Sequence, residues 1–122
     1  MAIDNKSIYS TIGGWEVATI ANGAPLSGAI NTGGMTPVRL QLPASLEGTA
    51  LTFQVSIDGV TYTDFYDEFG VEVNYPCGSS RTVDLPTSTW KFVRLFKIRT
   101  QTGDTDTNQT GAASIVVQLE GL

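Results

Sequence analysis

Short runs of β-branched and aromatic residues recur along the sequence, and Gly, Pro, Asn or Asp separates each run from the next. The spacing of these runs is typical of β-sandwiches and β-barrels, and no window keeps the 3.6-residue apolar period of a helix. The pattern therefore predicts an all-β chain. We expect nine strands, at residues 16–20, 26–31, 37–42, 50–57, 62–66, 71–74, 81–85, 92–99 and 114–119.

The length allows one domain. A chain of 122 residues has enough apolar residues for one core and not for two. Eight or nine short strands over residues 15–122 suit a single β-sandwich of jelly-roll type. Residues 1–14 differ, because their apolar residues are scattered and the pair Gly13-Gly14 predicts a hinge before the first strand.

We interpret residues 1–14 as an extended N-terminal arm. Isolated apolar side chains are what a tail carries when it docks onto a neighbouring subunit, and a frayed terminus is the open alternative. The docking interpretation predicts four partner-binding residues: Ile3, Ile8, Tyr9 and Ile12.

The run at residues 50–57 has the clearest alternation. Leu51, Phe53, Val55 and Ile57 share one face and predict a buried side, with Thr52, Gln54 and Ser56 on the solvent side of a central strand. Asp58-Gly59-Val60 predicts a tight hairpin after it, since Asp-Gly tolerates positive φ angles. A second hairpin is predicted at Asp67-Glu68-Phe69-Gly70.

In residues 92–99 the apolar side chains change face. Val93 and Leu95 fall on one side of a regular strand, and Phe96 and Ile98 fall on the other. A one-residue β-bulge near Leu95 would bring all four inward, so we predict a bulge there. The segment 86–89 before Trp90 predicts a single helical turn.

Charge disfavours two classes of partner. The chain carries 7 Lys and Arg against 12 Asp and Glu, a formal charge of -5, which repels nucleic acids and anionic membranes. No stretch approaches the length or apolarity of a transmembrane helix, and the N-terminus lacks the apolar core of a secretory signal. The sequence predicts a soluble protein that is made without export and contacts neither nucleic acid nor membrane.

Most catalytic and metal chemistry lacks its usual residues. The chain has no histidine, the commonest general base and the commonest zinc ligand, and it has one cysteine, Cys77. A lone thiol without histidine is a poor nucleophile, so we predict that Cys77 serves packing or a turn. No cofactor, metal or catalytic residue is predicted, and the chain is expected not to be an enzyme.

Two acidic segments are candidate sites. Asp64, Asp67, Glu68 and Glu72 could act as paired carboxylates, but their predicted places in a turn and on outward strand positions favour solubility and edge protection. Residues 104–108 resemble the opening of a calcium loop, yet Gln109 and Ile115 stand where the glycine and glutamate of an EF-hand are required. A solvated loop is the preferred interpretation, and a weak calcium site of another type stays open.

Most of the aromatic residues are predicted to lie in the core. Surface aromatic side chains would be able to stack on sugars or mediate assembly. The candidates are Trp15, Tyr62, Tyr66, Tyr75 and Trp90. The glycine pairs Gly13-Gly14 and Gly33-Gly34 match no phosphate loop and are interpreted as turns.

Four segments, at residues 37–43, 51–59, 64–67 and 97–99, together resemble small virion proteins of tailed bacteriophages. The resemblance spans residues 36–119 and implies a β-sandwich or jelly-roll domain. Some of these proteins are capsid decoration, or cement, proteins that sit on the outer shell and clamp major capsid subunits. The segment Ser56-Ile57-Asp58-Gly59 also resembles galactose-binding-like sandwiches.

The resemblance implies a non-enzymatic virion structural protein that binds the outer capsid surface and stabilises the shell. The implied partners are the major capsid protein and further copies of this chain, as a homotrimer or homodimer. The implied location is the capsid surface of the virion, after synthesis in the host cytoplasm. The alternative function is a carbohydrate-binding β-sandwich module of a phage fibre or adhesin.

Overall fold

The computed structural model describes residues 13–121, and the partner-binding residues predicted in the arm, Ile3, Ile8, Tyr9 and Ile12, lie outside that range. The described chain contains ten strands and one helix of a single turn. They are β1 (Gly13–Ile20), β2 (Ile30–Asn31), β3 (Thr36–Gln41), β4 (Ala50–Ser56), β5 (Thr63–Asp64), β6 (Asn74–Pro76), β7 (Thr82–Asp84), α1 (Thr87–Trp90), β8 (Leu95–Thr102), β9 (Thr105–Asp106) and β10 (Ala113–Glu120).

The strands form two antiparallel sheets that pack face to face. One sheet has the order β1-β10-β3-β7, and the other has the order β2-β8-β4-β5, with β6 added to β4 and β9 added to β8. With β6 and β9 set aside, the two sheets take four strands each, and the chain switches sheet at every step from β1 to β4. This is the arrangement of a jelly roll, and it confirms the predicted β-sandwich.

The core lies between the inner faces of the sheets. Val117 of one sheet and Phe53, Phe96 and Ile98 of the other are inaccessible to solvent. Trp90, at the end of α1, closes the core at one end: its ring packs edge-on against Phe53 and Phe96, with centroids 4.8 and 5.2 Å apart. The predicted helical turn before Trp90 is thus confirmed, and it places the Trp90 side chain in the core.

Most predicted strands are present, with shifted ends. Residues 26–31 are paired as a strand only at Ile30–Asn31, and Leu26 and Ser27 make isolated bridges. The sixth strand lies at Asn74–Pro76, later than the predicted 71–74, and β9 was not predicted. These are the segments where turn residues interrupt the apolar pattern, so the pattern defines the strand ends poorly.

Two glycine predictions had different outcomes. Gly33 and Gly34 both have positive φ angles in a turn, as predicted. Gly13 and Gly14 are the first residues of β1 and pair with Glu120 and Leu119, so the predicted hinge at this pair is wrong. The ladder with β10 holds them extended although their sequence alone favours a turn.

The predicted bulge near Leu95 is wrong. β8 and β4 pair in unbroken register from Leu95 to Gln101, and Phe96 and Ile98 face the core as a regular strand requires. Val93 reaches the core from the turn after α1, where its N–H donates to Trp90 O. The register shift that does occur lies between Gln118 and Leu119, where β10 pairs with β3.

The alternation predicted for residues 50–57 holds in part. Leu51 and Phe53 are buried and β4 is central, as predicted, but Ile57 is fully exposed and Thr52 is buried. Ile57 follows the last residue of β4 and belongs to the turn. Thr52 is covered on the outer face by Arg99, whose Nε donates to Thr52 Oγ1 at 2.8 Å.

Candidate functional site

Two hairpins follow β4, and each is held by one aspartate. In the first, Asp58 Oδ1 accepts hydrogen bonds from the N–H groups of Val60 and Thr61, both at 2.8 Å, and from Ser56 Oγ at 3.0 Å. The backbone bonds from Thr61 and Val60, and then the Ser56 bond, hold the pKa of Asp58 below its ordinary value of 3.8. Gly59 takes the positive φ of 81° that the turn requires.

The second hairpin repeats this construction. Asp67 Oδ1 accepts from the N–H groups of Phe69 and Val71, at 2.9 and 3.0 Å, and Asp67 N–H donates to Val71 O at 2.8 Å. Gly70 has a φ of 76°. Because β5 and β6 both pair with β4, the chain leaves the six-stranded sheet after β5, forms this hairpin, and returns to the sheet at β6. Both predicted hairpins are confirmed.

These fixed turns carry exposed apolar side chains. Ile57 is fully exposed, Val60 and Phe69 are 84% and 82% exposed, and Val71 is 60% exposed. We call these four side chains the hairpin tips. Single exposed apolar residues are ordinary, but four on two successive hydrogen-bonded turns are a feature of contact surfaces.

The predicted acidic cluster divides between two roles. Asp64 and Glu72 are brought together by Arg99, whose terminal nitrogens lie 3.0 and 3.1 Å from their carboxylates. Asp106 lies 3.8 Å from Arg99 Nε, so one guanidinium faces carboxylates from three segments. Asp67 instead holds the second hairpin, and Glu68 is exposed in it. The acids therefore serve to fix loops to the sheet.

The remaining candidates have structural surroundings. Asp106 also accepts from Gln101 Nε2 at 3.0 Å, and within residues 13–121 no three His, Cys, Asp or Glu side chains are placed to hold a metal ion. Cys77 is buried, which raises its pKa, and packs into the core as predicted. No helix in the described part of the chain has the length and apolarity to cross a membrane.

The outer face of the four-stranded sheet holds a second surface. A row of polar side chains crosses it: Arg39 Nε donates to Asp84 at 2.8 Å, an Arg39 terminal nitrogen donates to Gln118 at 3.4 Å, and Gln118 donates to Glu120 at 3.2 Å. Trp15, opposite Gln118 on β1, is 43% exposed. Trp15, Arg39, Gln118 and Glu120 border a groove of about 800 Å³, here called the outer groove.

The aromatic candidates are accordingly split. Trp90 is buried, and its indole N–H donates to Tyr75 Oη at 3.0 Å, while burial raises the pKa of Tyr75. Tyr62 lies under Lys97 Nζ, 4.4 Å from its ring centroid. Trp15 and Tyr66 are exposed. Sequence reasoning missed the hairpin tips because it placed Ile57 in the core and treated Phe69 and Val71 only as turn and strand residues.

No protein-family model and no curated protein matches the sequence. Among solved structures, the chain is similar to CBM32-1 from a family 31 glycoside hydrolase from Clostridium perfringens. The two are 15% identical with a TM-score of 0.44, over 93% of this chain and 99% of the other.

Proposed function

We propose that this chain is a non-enzymatic virion structural protein, a capsid decoration protein that binds the major capsid protein through its hairpin tips. The observation that carries this proposal is the exposure of Ile57, Val60, Phe69 and Val71 on turns that Asp58 and Asp67 hold in place. The protein is made in the host cytoplasm and resides on the outer capsid surface, where it stabilises the shell.

The physical support is pre-organisation. An apolar side chain on a loose loop loses conformational entropy when it is bound, whereas one on a turn with several fixed hydrogen bonds has already lost it. Each aspartate accepts from two backbone N–H groups of its own turn. Burying such tips in a partner's pockets yields the few large contributions that dominate protein interfaces.

Repeated weak contacts also suit this role. A decoration protein meets many identical sites on a shell, so modest affinity per copy is enough when copies are linked. The resemblance to phage virion proteins includes residues 51–59, the segment that ends in the first hairpin.

The test uses purified particles of the phage that encodes the chain. The full chain is titrated onto particles stripped of it, and bound protein is quantified. We expect Ile57→Ser and Phe69→Ser each to weaken binding by about 10- to 30-fold, as for truncated hot-spot residues. Phe92→Ser is the matched control, since Phe92 is 86% exposed but lies after α1, outside the hairpins. Equal binding by all variants, or absence of the chain from native particles, would contradict the proposal.

A carbohydrate-binding module is the second candidate, and the outer groove favours it. Trp15 offers a partly exposed indole, and the Arg39–Gln118 row beside it offers donors and acceptors already held in position. Ligand sites of this size combine an apolar wall with a few fixed polar groups. In this reading the chain is a module of a phage fibre or adhesin.

A glycan array separates the two candidates. If the outer groove binds sugar, Trp15→Ala abolishes glycan retention and leaves particle binding unchanged, while Phe69→Ser has the opposite effect. If the unmodified chain retains no glycan, the carbohydrate-binding candidate is eliminated.

A further inference from the structure

The turn that follows β1 contains the sequence Asn22-Gly23. Ala24 N–H donates to Ala21 O at 3.1 Å and closes a turn of four residues. Gly23, the third residue of the turn, has a φ of 83°, and Asn22, the second, has no positive φ, which is the pattern of a type II turn. Asn22 and Gly23 are both exposed, so this turn is open to water.

An asparagine followed by glycine is open to deamidation. The Gly23 nitrogen attacks the side-chain Cγ of Asn22, the bond from Cγ to Nδ2 breaks, and ammonia leaves with the proton of the attacking nitrogen. The product is a cyclic succinimide, and one water opens it to aspartate or to isoaspartate. Glycine favours the attack because it has no Cβ to obstruct it. Asn22 is the only asparagine of the sequence that a glycine follows.

The fold opposes this reaction at both reacting groups. Gly23 N–H donates to Gln109 O at 2.6 Å, and Gln109 N–H donates to Ala24 O at 3.0 Å. The Gly23 nitrogen has to lose its proton in order to attack, and the bond to Gln109 shields that proton from base. The second residue of a type II turn has a ψ of about +120°, which turns Asn22 Cβ well away from the Gly23 nitrogen. Ring closure needs these two atoms eclipsed, so the turn has to open first.

Gln109, which holds the turn, is itself anchored in the core. It is 1% exposed, and its side-chain Nε2 donates to Glu47 O at 2.8 Å and to Thr100 Oγ1 at 3.0 Å. Its Oε1 accepts from Glu47 N–H at 3.0 Å. Three hydrogen bonds of one buried side chain therefore fix the backbone groups to which the exposed turn is attached.

We propose that Asn22 is a deamidation site whose reaction the fold controls: the side chain reacts when the turn leaves Gln109 and is preserved while the turn is attached. Exposed turns open locally at a lower free energy than the whole domain, so the reaction rate reports how often this turn opens. Isoaspartate lengthens the main chain by one carbon, so a chain that has formed it does not regain both bonds to Gln109. This site is independent of the proposed function.

Peptide mapping by mass spectrometry tests the site and its control by the fold. The full chain is incubated in mildly alkaline buffer, either folded or unfolded in guanidinium chloride. We expect Asn22 to lose its amide at least about 10-fold faster in the unfolded chain. Asn31, Asn74 and Asn108 are the internal controls, and each should react more slowly than Asn22 when unfolded. Equal rates for Asn22 in the two states, or faster loss at another of these asparagines, would overturn the proposal.

A variant tests the anchor within the folded protein. Gln109→Ala removes the three side-chain bonds that fix the attachment point, so we expect Asn22 to react at least about 10-fold faster in this variant than in the unmodified folded chain. Circular dichroism verifies that the variant is folded. Thr110→Ala is the matched control, because its hydroxyl donates to the Glu47 carboxylate and holds neither Gln109 nor the turn. An unchanged rate in folded Gln109→Ala, or an equal increase in Thr110→Ala, would contradict the role of Gln109.

Discussion

At the scale of single residues, Trp90 connects four aromatic side chains in and around the core. It contacts the rings of Phe53, Phe65 and Phe96 edge-on and donates to Tyr75. Its neighbours come from both the central strands and the β5 region, so the helical turn that carries it holds one end of the sandwich closed.

Replacement of Trp90 should therefore be among the most destabilising changes. We expect Trp90→Ala to lower the free energy of unfolding by about 3–5 kcal/mol, through lost burial and the cavity left behind. Urea denaturation followed by circular dichroism measures it. Phe92→Ala, at an exposed aromatic two residues away, should change stability by less than about 0.5 kcal/mol. A loss at Trp90 no larger than this control would contradict the assigned packing.

Asp58 gives a residue-scale prediction on pH. Its pKa in the folded chain is lowered by the backbone N–H groups of Thr61 and Val60, so its carboxylate stabilises the fold above the ordinary pKa of 3.8. That stabilisation is lost as the pH falls from the unfolded pKa through the folded one. We expect Asp58→Asn to lower the melting temperature at neutral pH and to have no effect in stronger acid, by calorimetry across a pH series. A difference in melting temperature that persists in acid would show that the Asp58 carboxylate is not its cause.

At the scale of elements, Arg99 links β8 to three separate segments. Its side chain is 12% exposed and faces Asp64 of β5, Glu72 of the second hairpin and Asp106 of β9. Because these segments are short, with two residues each in β5 and β9, their ladders alone hold them weakly.

Loss of Arg99 should loosen these elements together. Arg99→Met leaves three carboxylates facing one another, and we expect a loss of about 2–3 kcal/mol in unfolding free energy. Hydrogen exchange should rise in residues 63–73 and 105–107. Arg39→Met is the control: its pair with Asp84 is exposed and should be worth less than about 1 kcal/mol. Similar effects from the two variants would refute the linking role.

A sequence pattern predicts features of an element that depend on local residues, and it fails for features that depend on distant ones. Alternation over Leu51 and Phe53 and the turn chemistry of Asp58-Gly59 act locally, and both were predicted correctly. Thr52 and Ile57 were assigned to the wrong sides because their burial depends on Arg99, 47 positions from Thr52, and on where β4 ends. The hairpin tips were missed for the same reason, since exposure is a property of the assembled sheets.

At the scale of the whole molecule, β1 pairs with β10 along its full length, which ties the two ends of the described chain together. One core and such long-range pairing predict a single cooperative unfolding transition and folding in milliseconds to seconds. Far-ultraviolet circular dichroism, near-ultraviolet circular dichroism and tryptophan fluorescence should give coincident urea curves. Separate transitions would indicate that the sheets unfold independently.

In the proposed function, this β-sandwich attaches to a capsid through the apolar hairpin tips, on two turns that Asp58 and Asp67 hold. Electron cryo-microscopy of native particles that carry the chain shows whether it does. We expect density for the sandwich on the outer shell, with Ile57, Val60, Phe69 and Val71 buried against the major capsid protein. A bound sandwich whose hairpins point into solvent, or particles without any such density, would contradict the claim.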